Sequence, residues 1–296
     1  MGDYEKANIY VQKAYNNTVS QIDFSYKTSC SADSRKNLLR SFVVVSSNSI
    51  MSLIYLEQIQ NLDSQFTLFL QFENKMAIDT DLNTFYTHRK YSNYFLIAGA
   101  KITRTGITSP DFTTWVKQFY SLEKKFPRRI AFFCYDSIAL YYLINGSFNE
   151  CQSAISCILN DKNVYKQFPD TYSSALIYQL FLNFETDDFD ILESNTKKAE
   201  RYFENYFPLP KYQKYILEFF DKIRIVTGRK KQSHLMIEFQ NKIKLVKKSS
   251  DNSDTPYHQQ IIFIDFDCWL ESKITNRSFI EIKKEKAKTN PPFKHQ

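Results

Sequence analysis

Glycine is scarce in this chain, with five residues among 296. Glycine provides the positive-φ positions of tight turns and lets a backbone approach a phosphate closely. Its scarcity argues against a hairpin-rich β protein and against nucleotide-binding α/β folds. Neither G-x-G-x-x-G nor G-x-x-x-x-G-K-S/T occurs. The five cysteines, Cys30, Cys134, Cys151, Cys157 and Cys268, are odd in number, loosely spaced and free of any C-x-x-C pair. That pattern points to a reduced, cytoplasmic protein with free, mostly buried thiols. The four histidines, His88, His234, His258 and His295, lie outside metal-ligand spacing. No nucleophile elbow or kinase-like motif is present. No catalytic residue, cofactor or metal is therefore expected, although an all-α enzyme with an unfamiliar site stays open.

Long apolar runs are missing too. The charge-free stretch from Ser41 to Leu56 is broken by Ser46, Ser47, Asn48, Ser49 and Ser52. It falls short of the ~20 mainly apolar residues that span a bilayer, so no membrane association is expected. The first residues, Met1-Gly2-Asp3-Tyr4-Glu5-Lys6, lack the apolar core of a signal peptide.

What the chain has in quantity is aromatic residues, 26 Phe and 20 Tyr, and apolar residues at helical spacing. Tyr135, Ile138, Tyr141 and Tyr142 share one helix face, Asn145-Gly146 punctuates, and Phe148, Cys151, Ala154, Ile155, Ile158 and Leu159 continue. Ser109-Pro110 predicts a helix start ahead of Phe112, Trp115, Phe119 and Leu122. Ser278 with Glu281 predicts a capping box. Asp170 is placed to cap a helix carrying Leu176, Leu180 and Phe184. Phe42–Val45 and Ile261–Phe266 are short strand-like runs, read as helix in this context.

A spacing of about 40 residues runs through the middle of the chain. Gly106, Gly146 and Gly228 fit steps of 40 and twice 41. A shift of 41 carries Tyr135 onto Leu176 and Leu217, and Tyr141 onto Leu182 and Ile223. This predicts an all-α stack of antiparallel helix pairs.

Two segments resemble the tetratricopeptide repeat. Gly2-Asp3-Tyr4-Glu5-Lys6-Ala7, with Val11 and Ala14, resembles the turn and second helix of such a unit. Ile138-Ala139, Tyr142, Gly146 and Phe148 resemble a first helix and turn, with small Cys151 in the second helix. Ile155 and Ile158 depart from the family's aromatic and alanine there. Weaker likenesses occur at Ala98-Gly99 with Ile102 and Gly106, and at Asp188-Phe189 with Ala199. The spacing also exceeds the family's ~34 residues. The resemblance implies a right-handed solenoid over 1–248, whose concave surface binds a protein or peptide without bond chemistry. A repeat entered at its turn further implies that this chain is the C-terminal part of a longer protein. Residues 249–256 read as a linker, and 257–296 as helices capping the last repeat, anchored by Phe263, Phe266, Trp269 and Phe279.

Two further signals bear on binding. Between 222 and 248 nine basic residues, Lys222, Arg224, Arg229, Lys230, Lys231, Lys242, Lys244, Lys247 and Lys248, face a single acid, Glu238. That segment exceeds the +7 net charge of the whole chain. It reads first as a solvated helix face with a lysine-rich tail to the repeat stack; as binding readings it suits an acidic protein surface or, as an alternative, the phosphates of a nucleic acid. The acids Glu185, Asp187, Asp188 and Asp190 lack the glycine and distal glutamate of a calcium loop and are expected to flank a helix N-terminus. The candidate partner-binding residues are Tyr135, Tyr142, Lys230, Lys231 and Trp269. Tyr94, Tyr178 and Tyr215 are further tyrosines considered for the binding groove.

Overall fold

Polar residues start most of these helices and apolar spacing propagates them. The computed structural model describes residues 2–206, 211–248 and 264–289. Among the described residues the secondary structure is entirely helical, without a strand. The α-helices are α1 (Gly2–Lys27), α2 (Ala32–Tyr55), α3 (Leu62–Leu70), α4 (Glu73–Met76), α5 (Thr80–Thr105), α6 (Phe112–Leu122), α7 (Arg128–Asn145) and α8 (Phe148–Leu159). They continue with α9 (Val164–Gln167), α10 (Pro169–Glu185), α11 (Phe189–Tyr206), α12 (Lys211–Ile223), α13 (Arg229–Lys248), α14 (Phe266–Thr275) and α15 (Phe279–Thr289). The predicted linker 249–256 and the residues up to Phe263 lie outside the described residues.

The described residues divide into two compact units inside what was expected to be one array. One comprises the chain up to Ala100 together with Pro110–Phe126. The other comprises Lys101–Ser109 and the chain from Pro127 onward.

In the first unit α1 and α2 pair antiparallel, with Gln12 Nε2 donating to Ser49 Oγ at 2.8 Å and Tyr15 against Phe42. Ser31 caps α2 by accepting from the Ser34 amide. The strand-like run Phe42–Val45 is helical because Phe42 and Val43 are buried and Ser47 Oγ returns a bond to the Val43 carbonyl. By length and composition α2 is apolar enough to cross a membrane, with a mean hydropathy of 1.4 over its best window; half of that window packs inside the protein. The uninterrupted helix is longer than the 16-residue charge-free stretch because Asp33, Arg35, Lys36 and Arg40 occupy its first half.

An aromatic core fills this unit. Phe42 stacks on Phe72 at 3.9 Å, Phe69 on Tyr86 at 4.7 Å and Tyr94 on Trp115 at 4.2 Å. The start of α6 differs from the Ser109-Pro110 prediction. Asp111 holds the cap position, and its carboxylate accepts from Tyr94 Oη at 2.6 Å and Trp115 Nε1 at 2.9 Å. The expected turn at the chain start is also absent, since α1 already begins at Gly2. Ala7 and Ala14 are exposed rather than at a close helix approach, and Ile9 is 54% exposed.

The second unit is built of helix pairs. The α7–α8 hairpin forms as predicted. Gly146 ends α7 in the left-handed conformation at φ 78°, while the Ser147 amide reaches the Tyr142 carbonyl at 2.9 Å. Forty-one residues on, Asp187 takes the same conformation at φ 56°, and the Asp188 amide bonds the Asn183 carbonyl at 2.9 Å. Gly228 follows at φ 94°, and Gly106 precedes at φ 70°. Gly106, Gly146 and Asp187 thus follow helix ends at steps of 40 and 41, while Gly228, 41 residues further on, stands immediately ahead of α13, and Glu57 and Asn276 take the same conformation off this spacing. An aspartate tolerates this region better than most side chains, so the third member carries no glycine.

Successive pairs stack. Helix α10 packs on both α7 and α8, α11 on α12, and α13 on α14. The last helix does not simply cover the preceding one, because α15 also returns to α7. There a Cβ on Gly106 would stand 2.7 Å from the Ile280 carbonyl oxygen. The Ser278–Glu281 capping box forms as predicted, with each residue bonding the other's amide. Asp170 instead lies inside the first turn of α10, behind Pro169, and caps nothing with its side chain.

Candidate functional site

The basic segment resolves into two groups of side chains. Lys222, Arg224 and Lys242 are each paired with an acid three or four residues before them, and Arg224 and Lys242 also with an acid of a neighbouring helix. Lys222 Nζ lies 2.8 Å from Glu218, and Arg224 reaches Asp221 at 2.9 Å and Glu193 at 3.1 Å. Lys242 holds Glu238 at 2.8 Å, and the hydrogen bond to that carboxylate raises the Lys242 pKa. Lys222 and Lys242 also lie over the Phe239 ring at 5.6 and 4.5 Å. Among the described residues Arg229, Lys230, Lys231 and Lys244 have no ion pair, and all four are exposed. The side chains of Lys247 and Lys248 lie outside the described residues.

Arg229, Lys230 and Lys231 form the first turn of α13, which contains no acid. Cations there oppose the helix dipole and weaken the helix. Folding thus offers no local reason for these three charges.

The other candidates are placed differently. Trp269 is 3% exposed and is core. Its ring meets Phe181 at 4.9 Å, Phe184 at 5.2 Å and Phe266 at 5.7 Å, and its Nε1 donates to Glu185 at 2.6 Å. Tyr135 and Tyr142 are buried as well, on the α7 face that packs against its neighbours. Tyr94 and Tyr178 are buried, and Tyr215 is half-buried. A phenol face suits helix packing as well as it suits binding, and here packing claims it.

The acidic cluster acts within the fold. Glu185 also receives Lys273 at 2.5 Å, Asp187 is the left-handed cap, and Asp188 accepts from the Ile191 amide at the start of α11.

Two polar clusters were not anticipated. Asp265, Asp267 and Cys268 bring three donor atoms within 4.8 Å of one another, a spacing compatible with a metal. Lys283 sits 2.5 Å from Asp265, and Lys286 lies 2.7 Å from Glu271 and 3.5 Å from Asp267. Burial pushes the Cys268 thiol up to about 12. A protonated thiol beside two ammonium groups makes an ion-pair cluster joining α14 to α15, and a poor metal ligand set. The spacing of Asp265 and Asp267 to Lys283 and Lys286, eighteen or nineteen residues across a turn, was the available sequence signal.

The second is Asp136 on α7. The residue keeps some surface, but its Oδ1 has none and finds no hydrogen-bond donor. Burial, with the Asp170 charge adding to it, raises this acid to about 8. Desolvation similarly raises the Cys134 and Cys151 thiols, so they are inert. The cavity of about 610 Å³ between α2 and α5 is lined by Arg40, Ser41, Val44, Val45 and Phe85, without a paired acid and base.

No protein-family model, no curated protein and no solved structure matches the chain.

Proposed function

We propose that the chain is a non-catalytic helical-repeat scaffold, a right-handed stack of helix pairs similar to tetratricopeptide repeats, that binds a protein or peptide partner in the cytoplasm. The observation that carries this reading is the recurrence of left-handed residues between helices at Gly106, Gly146, Asp187 and Gly228. The first three follow helix ends and Gly228 directly precedes α13, and the pairs α7–α8 and α10–α11 pack through α10. Arrays of this kind present extended surfaces rather than deep pockets. The unpaired cations on α13 give that surface a charged feature that the fold itself does not use.

The test is affinity purification with the full chain as bait, followed by reconstitution with the purified captured protein and sedimentation analysis. A discrete complex of fixed stoichiometry is expected. Failure of every captured protein to form one would overturn the scaffold reading.

A further inference from the structure

We propose that the outer face of α13 docks an acidic, amphipathic helical segment of a protein partner. The inference rests on the scaffold reading and names its partner chemistry. On α13, Lys230, His234, Ile237, Asn241 and Lys244 are all exposed and follow one another at steps of four, three, four and three residues. That spacing makes a single stripe along the helix, the register at which a second helix lies against it.

The stripe mixes two chemistries. Lys230 and Lys244 mark its ends, and Lys231 and Arg229 crowd the first end, none of them ion-paired among the described residues. Aliphatic side chains stand between and beside them: Ile237 is 41% exposed, Leu245 67%, and Ile225 66% just ahead of the helix. A solvated lysine face needs no exposed isoleucines, and an apolar seam needs no cations. The two together complement a helix that carries carboxylates bordering aliphatic residues.

Nucleic acid fits less well. Its single-stranded forms call for aromatic stacking platforms beside the cations. No Phe, Tyr or Trp is exposed on the described part of α13; its Phe239 is buried under Lys222 and Lys242.

The position of the charges gives the test an internal control. Lys230→Glu and Lys231→Glu place acids in the first turn of a helix, which favours folding. The double variant is therefore expected to melt at the same temperature as the parent or slightly higher. A loss of binding cannot then be blamed on misfolding.

The full chain is titrated by fluorescence anisotropy against a synthetic peptide of roughly five helical turns with glutamates bordering leucines. The comparison probes are a scrambled peptide of the same composition and a single-stranded RNA oligonucleotide. The amphipathic peptide is expected to bind best. Lys230→Glu/Lys231→Glu is expected to weaken it by about tenfold or more and to flatten its salt dependence. Ile237→Ser is expected to weaken it several-fold while leaving the salt dependence in place.

Equal binding of the scrambled peptide, tighter binding of the RNA, absence of peptide binding, or indifference to the charge reversal would each overturn the inference. A reconstituted natural complex that ignores the charge reversal would also overturn it while leaving the scaffold reading intact. Failure to reconstitute any complex removes the scaffold reading itself.

Discussion

Trp269→Ala is expected to destabilise the second unit by about 3–5 kcal/mol, the range for emptying a buried tryptophan site. The indole lies among rings from α10, α12 and α14: Phe181, Phe184, Phe219, Phe220 and Phe266 all stand within 6 Å of it by centroid. Removing it leaves a cavity where three helices converge. It also takes the Nε1 donor from Glu185, which keeps only Lys273 among the described residues. The melting temperature should fall by about 10 °C or more, at roughly 2–4 °C per kcal/mol for a unit of this size. Trp269→Phe keeps an aromatic ring and loses the hydrogen bond, so it should cost about 1–2 kcal/mol. Differential scanning calorimetry reads both. A tryptophan that served a partner rather than the core would give an alanine variant as stable as the parent.

The second large effect is electrostatic. Asp136 is raised to about 8 by burial, against an ordinary carboxyl value of ~3.9 in the unfolded chain. The native state therefore binds more protons than the unfolded state between about pH 4 and 8. Stability contributed at this site is greatest at low pH, falls as pH rises through that window, and levels off above it. At pH 7 the difference amounts to roughly 4 kcal/mol, taking about 1.4 kcal/mol per unit.

Asp136→Asn is neutral at every pH. Its stability advantage over the parent should grow with a slope approaching 1.4 kcal/mol per pH unit between about pH 5 and 7.5. Every other titrating group is common to both proteins, so the difference isolates Asp136. Urea denaturation across that range measures it. Parallel stability curves would mean that the carboxylate is hydrated and titrates normally.

Local signals in the sequence translated well where one residue governs one backbone event. The Ser278–Glu281 box and the Gly146 helix end needed only their own neighbours. The spacing of about 40 residues was legible through glycine, yet its third member was hidden because Asp187 adopts a conformation usually marked by glycine. Asp111 displaced Ser109-Pro110 as the start of α6 because its carboxylate is fixed by Tyr94, far away in sequence.

The candidate site was legible in outline only. Lys230 and Lys231 are exposed as their charge suggested. The basic segment lost part of its charge to acids outside it: Asp221 and Glu218 stand three or four residues ahead of Arg224 and Lys222, whereas Glu193 reaches Arg224, and Glu218 reaches Lys242, only after the helices pack. Trp269, Tyr135 and Tyr142 read as packing residues before binding residues in one dimension. Their burial is a property of neighbouring helices that no local pattern encodes.

The recurrence of left-handed residues between helices can be measured directly, because it fixes opposite signs for opposite substitutions. A Cβ at Gly146 or Gly228 would meet nothing within 4 Å, so Gly146→Ala and Gly228→Ala probe conformation alone. Each is expected to lose about 1 kcal/mol or more in urea denaturation. Asp187→Gly is expected to gain up to about 1 kcal/mol, because glycine relieves the strain of φ 56°. A loss of about 1 kcal/mol for Asp187→Gly, as for a glycine inside an ordinary helix, together with neutral alanine variants, would contradict the repeat.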